Sequence, residues 1–215
     1  MIPQGGVFLR ALGVRSQQLH PAILAQLSQP HAPEDSVHGV FETAGSRFGR
    51  LAFLARPVLG PSLLLTRFGT DVPFVLTARA SSTAAGRAVL ETTRRFEFPG
   101  ATEVISDRLV EDPEAGGLRN LLGDRRRIEL ILDCAVTDQG SLRMQSRHVA
   151  LVLGGLRIPL RGPFGIVVSV EDGWDAEHQR RTIAMEARHP LLGTVLEYRG
   201  WYRPNDLGDA DSQYE

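Results

Sequence analysis

The chain has 215 residues, 42% hydrophobic and 23% charged, an ordinary globular composition with enough apolar material for one sizeable core. All 24 basic residues are arginine, which excludes chemistry that needs a lysine amine, such as Schiff bases, pyridoxal phosphate attachment or a P-loop. A net charge of −1 gives no electropositive footprint for nucleic acid, and Cys134, the single cysteine, leaves no disulfide framework and no thiolate metal cluster.

The amino terminus, MIPQGGVFLRALG, lacks the basic leader and continuous apolar core of a secretion signal. No apolar run reaches the roughly 20 residues of a spanning helix, so the expectation is a cytoplasmic protein without a membrane span. Around Leu9 to Leu27 the spacing of Leu19, Ile23, Leu24 and Leu27 predicts a helix of about two turns, with Pro21 where a first turn tolerates it. A second helix is predicted from Ser46 toward Leu59 on the stripe Phe48, Leu51, Ala52, Ala55 and Val58. Ser46 is its N-cap, and Pro57 and Gly60 end it. Between the two, His31 to Asp35 reads as a polar loop and Val37 to Thr43 as a short strand.

Period two takes over from Val72. The segments 72–80 and 88–98 alternate and are joined by a hairpin at Thr83 to Gly86. Further strands are predicted over Thr102 to Val110, Arg127 to Val136, Leu142 to Gly154, Leu156 to Leu160, Ile166 to Glu171, Arg181 to Arg188 and Thr194 to Tyr202. Turn residues at Asp138-Gln139-Gly140, Arg161-Gly162-Pro163 and Glu171-Asp172-Gly173 separate most of them, giving roughly seven to nine strands. The predicted class is therefore α+β and mainly β: a strongly curved antiparallel sheet or incomplete barrel with two short N-terminal helices packed on it. Residues 1–205 are read as one domain, followed by a disordered acidic tail over 206–215. A sheet of this kind either fills its inner face with side chains or encloses a ligand cavity.

The C-terminal half resembles the bacterial domain of unknown function 4166. The residues that carry the likeness are Gly155-Leu156-Arg157-Ile158-Pro159-Leu160, the strand Thr182 to Ala187, Pro190, Gly193 and Tyr198-Arg199-Gly200-Trp201. Weaker agreement extends to Arg94 and Phe96, and to Leu12-Gly13 with Leu19-His20-Pro21. Thr92, Ile183 and Met185 stand where that family often carries bulkier aromatic side chains. The resemblance implies a fold but no reaction. Members also follow Rossmann domains similar to saccharopine dehydrogenase, which implies an oxidoreductase partner by analogy; this chain has no Gly-x-Gly-x-x-Gly of its own.

Charged or polar residues on apolar strand faces are the candidate site. Arg94 shares a face with Leu90, Phe96 and Phe98, and an inward charge is costly unless paired, so it reads as an anion or carbonyl clamp or as a structural ion pair. Arg108, on the face of Val104, Ser106 and Val110, poses the same question. His148 shares a face with Leu142, Met144, Ser146, Ala150 and Val152, and is read either as a general base or as a core histidine bonded to a backbone carbonyl. Tyr198 is placed to present its hydroxyl inward beside Leu196, with Trp201 on the opposite face. No HExxH or Gly-x-Ser-x-Gly occurs, and no metal or cofactor is expected. Three functions follow. The first is a module binding a small apolar ligand or metabolite in an interior pocket through Arg94, Arg108, His148 and Tyr198. The second is a cofactor-independent cyclase, isomerase or dehydratase with His148 as acid/base and Arg94 polarising a carbonyl. The third is an interaction domain with a filled core.

Overall fold

Alternation of apolar and polar side chains becomes eleven antiparallel strands in the computed structural model, which describes residues 6–29, 35–49, 57, 60 and 62–203. The strands are β1 (Asp35–Gly45), β2 (Phe68–Ser82), β3 (Ala88–Phe98), β4 (Ala101–Asp112), β5 (Gly117–Leu122) and β6 (Ile128–Val136). They continue as β7 (Leu142–Leu153), β8 (Leu156–Pro159), β9 (Val167–Asp175), β10 (Arg180–His189) and β11 (Gly193–Arg203). Their order is β6-β5-β4-β3-β2-β1-β11-β10-β9-β7-β8, and β6 also pairs with β7. That last ladder closes ten strands into a barrel, correcting the expected open or incomplete one. Closure pairs backbone groups that an open sheet would leave bare along two edges. The strand that the sequence pattern does not reveal is β5, whose short run GLRNLL lies between two turns.

On its edge away from β6, β7 serves two ladders. Residues 142–145 pair with β9, whereas residues 150–153 pair with β8 in a hairpin that extends past the ring. The seam with β9 ends where Val168 N donates to Ser146 Oγ at 2.8 Å.

The turns at one end of the barrel, including 83–86 and 137–141, meet the N-terminal helices α1 (Val7–Leu12) and α2 (Pro21–Ser28), which a 3-10 turn at Gly13–Gln18 separates. Thus the single helix expected around Leu9 to Leu27 is two helices. Pro21 opens α2 as predicted, with the His20 ring accepting from Ala22 N at 3.3 Å and His20 N donating to Gly140 O at 2.9 Å. Val7, Leu9, Leu12, Leu19 and Ile23 pack against inward residues of the barrel such as Leu90, Leu118, Leu130 and Leu132. Each such side chain contributes roughly 1.5–3 kcal/mol on burial. Of the second predicted helix, Ser46 accepts from Phe48 N at 3.1 Å, and most of the remainder lies outside the described residues, as does the acidic tail.

A second apolar cluster, with Phe41, Phe74, Phe96, Phe98, Tyr198 and Tyr202 at its centre, fills the wall formed by β1–β3, β10 and β11. Phe41 stacks on Phe74 with ring centroids 3.9 Å apart. Gly39 makes this possible, because a Cβ there would lie 2.6 Å from the Phe74 ring and 2.2 Å from the Trp201 carbonyl oxygen.

Candidate functional site inside the barrel

Between the two apolar clusters runs a set of polar side chains that the strands turn inward. Arg94 on β3 is inward as expected, and its Nη1 donates to Asp107 Oδ1 at 2.6 Å. Thr92, two residues earlier on the same face, donates its hydroxyl to that same oxygen at 2.5 Å. Asp107 comes from β4, where Thr92 pairs with it directly in register. On the same guanidinium the buried Nε has no hydrogen-bond partner, and 15% of the Arg94 side chain is accessible.

Tyr198 on β11 is buried, and its hydroxyl makes no hydrogen bond among the described residues. Burial pushes this phenol above its ordinary range; Arg94 opposes the shift, and Asp107 and Asp172 add to it. Burial pulls the Arg94 pKa down, yet Tyr198, Asp107 and Tyr202 outweigh it, and the net shift is upward, so the guanidinium stays charged. Leu76, in register beside Arg94, and Met185, in register with both Tyr198 and Val170, are inward yet only partly buried.

A second pair lies nearer the helices. Arg181 on β10 directs Nε and Nη2 at both oxygens of Asp172, the Nε bond measuring 2.9 Å, and Nη1 donates to Gln26 of α2 at 2.6 Å. The Tyr202 hydroxyl donates to the same carboxylate at 3.3 Å, while the Arg181 guanidinium lies 5.6 Å from the Tyr202 ring centroid. Burial, then Asp172, raise the Tyr202 phenol well above its usual value, with Arg181 pulling the other way. Asp107, Asp172, Arg181 and Tyr202 are site residues that the sequence reading does not single out. For Asp107 the signal lies in the alternation within Ala101–Asp112, since Glu103, Ile105, Asp107 and Leu109 form the buried face.

Two predicted site residues lie outside the barrel. Arg108 is outward and 3.6 Å from Glu91, its register partner on β3. His148 is exposed, which corrects its expected inward placement. A bulge is the cause: Ile131 pairs with His148 but Leu132 pairs with Ser146, so Arg147 is an extra residue. One inserted residue exchanges the two faces of a strand, and from there Val149 rather than His148 points inward. Hence Arg94 and Tyr198 are brought together, and Arg108 and His148 are not.

Other reactive groups are accounted for structurally. Cys134 is buried, and burial pushes its thiol up to about 12, with Asp133 adding to the effect. His20 stacks on Trp174 at 5.8 Å, His178 bonds Asp175 at 2.8 Å, and the His189 ring accepts from Leu191 N at 3.2 Å in the turn before β11. Trp201 faces outward beneath Arg180, 4.6 Å from its ring centroid. Among the described residues no group of three or more His, Cys, Asp or Glu could hold a metal ion, and no helix is long and apolar enough to cross a membrane.

Comparison with known proteins fits this architecture to one family. The family model described as Domain of unknown function (DUF4166) matches residues 19–202. An uncharacterized Bacillus subtilis (strain 168) protein, YndH, is similar at 23% identity over 159 residues, 72% of this chain and 78% of that protein.

Proposed function

We propose, from the premise that this chain belongs to the Domain of unknown function (DUF4166) family, that its barrel interior binds a small, mostly apolar molecule through an uncharged carbonyl oxygen. The observation that carries the reading is the open Nε edge of Arg94. A buried donor left without a partner costs about 1–3 kcal/mol, and a ligand oxygen that accepts from it recovers that loss. The Tyr198 hydroxyl supplies a second donor from the same wall.

Charge balance selects the acceptor. Asp107 already neutralises Arg94, so a carboxylate would bring an unpaired negative charge into the interior, whereas a ketone, ester or amide oxygen brings none. The apolar body of the ligand would lie against the partly buried Leu76, Val170 and Met185. These unfilled surfaces favour a pocket over a fully packed interaction domain. Binding is also favoured over cyclase, isomerase or dehydratase chemistry, because His148 lies outside and Tyr198, with its proton held tightly, donates rather than abstracts.

Native mass spectrometry of the protein purified from its own host tests the reading. A copurifying carbonyl compound is expected on the wild type and absent from Arg94→Lys. An adduct that survives Arg94→Lys unchanged would overturn it.

A further inference from the structure

The apolar surface left exposed is concentrated at the end of the barrel away from the helices. Phe164 (73% exposed), Leu191 (74%) and Leu192 lie on loop tips there, with Val167 at the start of β9 beside them. Val167 pairs with Arg188, so the 162–164 turn and the 190–192 turn leave the barrel from neighbouring strands. At the opposite end the helices cover the turns, and among the described residues Val14 is the large hydrophobic exposed there.

The β7–β8 hairpin adds to this end. Leu151 pairs with Ile158 and Leu153 with Leu156, so one face of the hairpin is wholly apolar. After the bulge at Arg147 the odd residues of β7 point inward, which makes this face an extension of the inner wall beyond the rim. It projects at the corner where β7 has parted from β9.

Charge identifies the partner. From Gln139 to Val170 the sequence contains no carboxylate but includes Arg143, Arg147, Arg157 and Arg161. Of the arginines near the tips, Arg157 is held by Glu129 at 2.9 Å, whereas Arg161 is exposed and Arg188 stands largely in solvent, 3.6 Å from Glu186. Separate convex tips with apolar ends and cationic shoulders suit a yielding surface of hydrocarbon beneath anionic headgroups. A preformed protein groove would ask for one continuous face instead.

We propose that this end of the barrel docks on an anionic lipid bilayer. Phe164, Leu191 and Leu192 enter the headgroup boundary, Arg161 and Arg188 meet phosphates, and the apolar face of the β7–β8 hairpin joins the bilayer to the barrel rim. This docking stands on surface residues alone and does not depend on what the interior binds.

Flotation of the full chain with phosphatidylcholine vesicles, with and without phosphatidylglycerol, is the test. The wild type should float with the anionic vesicles and lose binding as salt is raised. The combined change Phe164→Ser, Leu191→Ser and Leu192→Ser should reduce binding at least about tenfold, since each removes apolar area that the bilayer would cover. Arg161→Gln with Arg188→Gln should reduce it severalfold, and Val14→Ser should leave it unchanged. All of these side chains are exposed, so circular dichroism should report the same fold throughout. The proposal is overturned if the wild type ignores anionic vesicles or if the triple serine variant floats equally well. It is also overturned if sedimentation velocity shows self-association that the triple variant abolishes, because the face would then belong to a second copy.

Discussion

Two arginine–aspartate pairs face the same barrel interior and are finished differently. In Arg181 the Nε/Nη2 edge is taken by Asp172 and Nη1 by Gln26, leaving 3% of the side chain accessible. In Arg94 the Nη1 atom is taken by Asp107, the Nε atom has no partner and 15% of the side chain is accessible. One pair ties the helices to the wall, and the other keeps donor capacity in reserve. An inward charge is therefore not by itself a sign of function; under the proposed reading, the unused donor of Arg94 is what sets it apart from Arg181.

Identical substitutions at the two sites should separate them most widely. Arg181→Lys gives up at least the two-pronged contact with Asp172 and should cost roughly 2–4 kcal/mol in chemical denaturation. Arg94→Lys retains its ion pair with Asp107 and should cost about 1 kcal/mol or less, while ligand affinity falls tenfold or more. Equal stability losses would erase the distinction.

Alkali should act on both pairs through their tyrosines. The folded pKa values of Tyr198 and Tyr202 are raised by burial, so the unfolded chain releases these protons first, near pH about 10. Their contribution to stability is fully present below that pH and is lost as the pH rises through the folded values. Denaturation at pH about 8 and about 11 should show the onset of the loss, at about 1.4 kcal/mol per tyrosine for each pH unit between its unfolded and folded values, and Tyr202→Phe should flatten the dependence. At neutral pH Tyr202→Phe forfeits its bond to Asp172, roughly 0.5–1.5 kcal/mol by thermal or chemical unfolding. Tyr198→Phe forfeits no bond to a described residue and should stay within about 0.5 kcal/mol of wild type, with the loss appearing in ligand affinity instead. The smallest effect belongs to His148→Ala, within about 0.5 kcal/mol and without change in ligand binding, since that ring is exposed on the outer wall.

How far the sequence can be read depends on how uneven the two faces of each strand are. Ala88–Phe98 has Leu90, Phe96 and Phe98 on one face and Glu91, Arg95 and Glu97 on the other, which is enough to turn Arg94 inward correctly. The same parity separates Tyr198 from Trp201 correctly. Ala101–Asp112 offers a charge and an aliphatic residue on both faces, and there the pattern points to Arg108 although Asp107 is the buried one. In Leu142–Leu153 the pattern is uneven enough, but the bulge at Arg147 exchanges the faces before His148 is reached. Bulges are set by the coiling a closed ring requires, a tertiary demand with no local composition signal. The ring itself is hidden for a related reason, because closure rests on the long-range pairings of β1 with β11 and of β7 with β9, along with a strand, β5, too short to register.

Ligand binding in the barrel depends on Arg94 having a donor that its own protein does not use. Nuclear magnetic resonance of the arginine Nε–H groups, assigned with Arg94→Lys and Arg181→Lys, measures that donor directly. The Arg181 Nε–H should be protected from exchange in the protein alone, and the Arg94 Nε–H should become protected when an organic extract of the host cells is added. An Arg94 Nε–H that is already protected, or that the extract leaves untouched, would contradict the account.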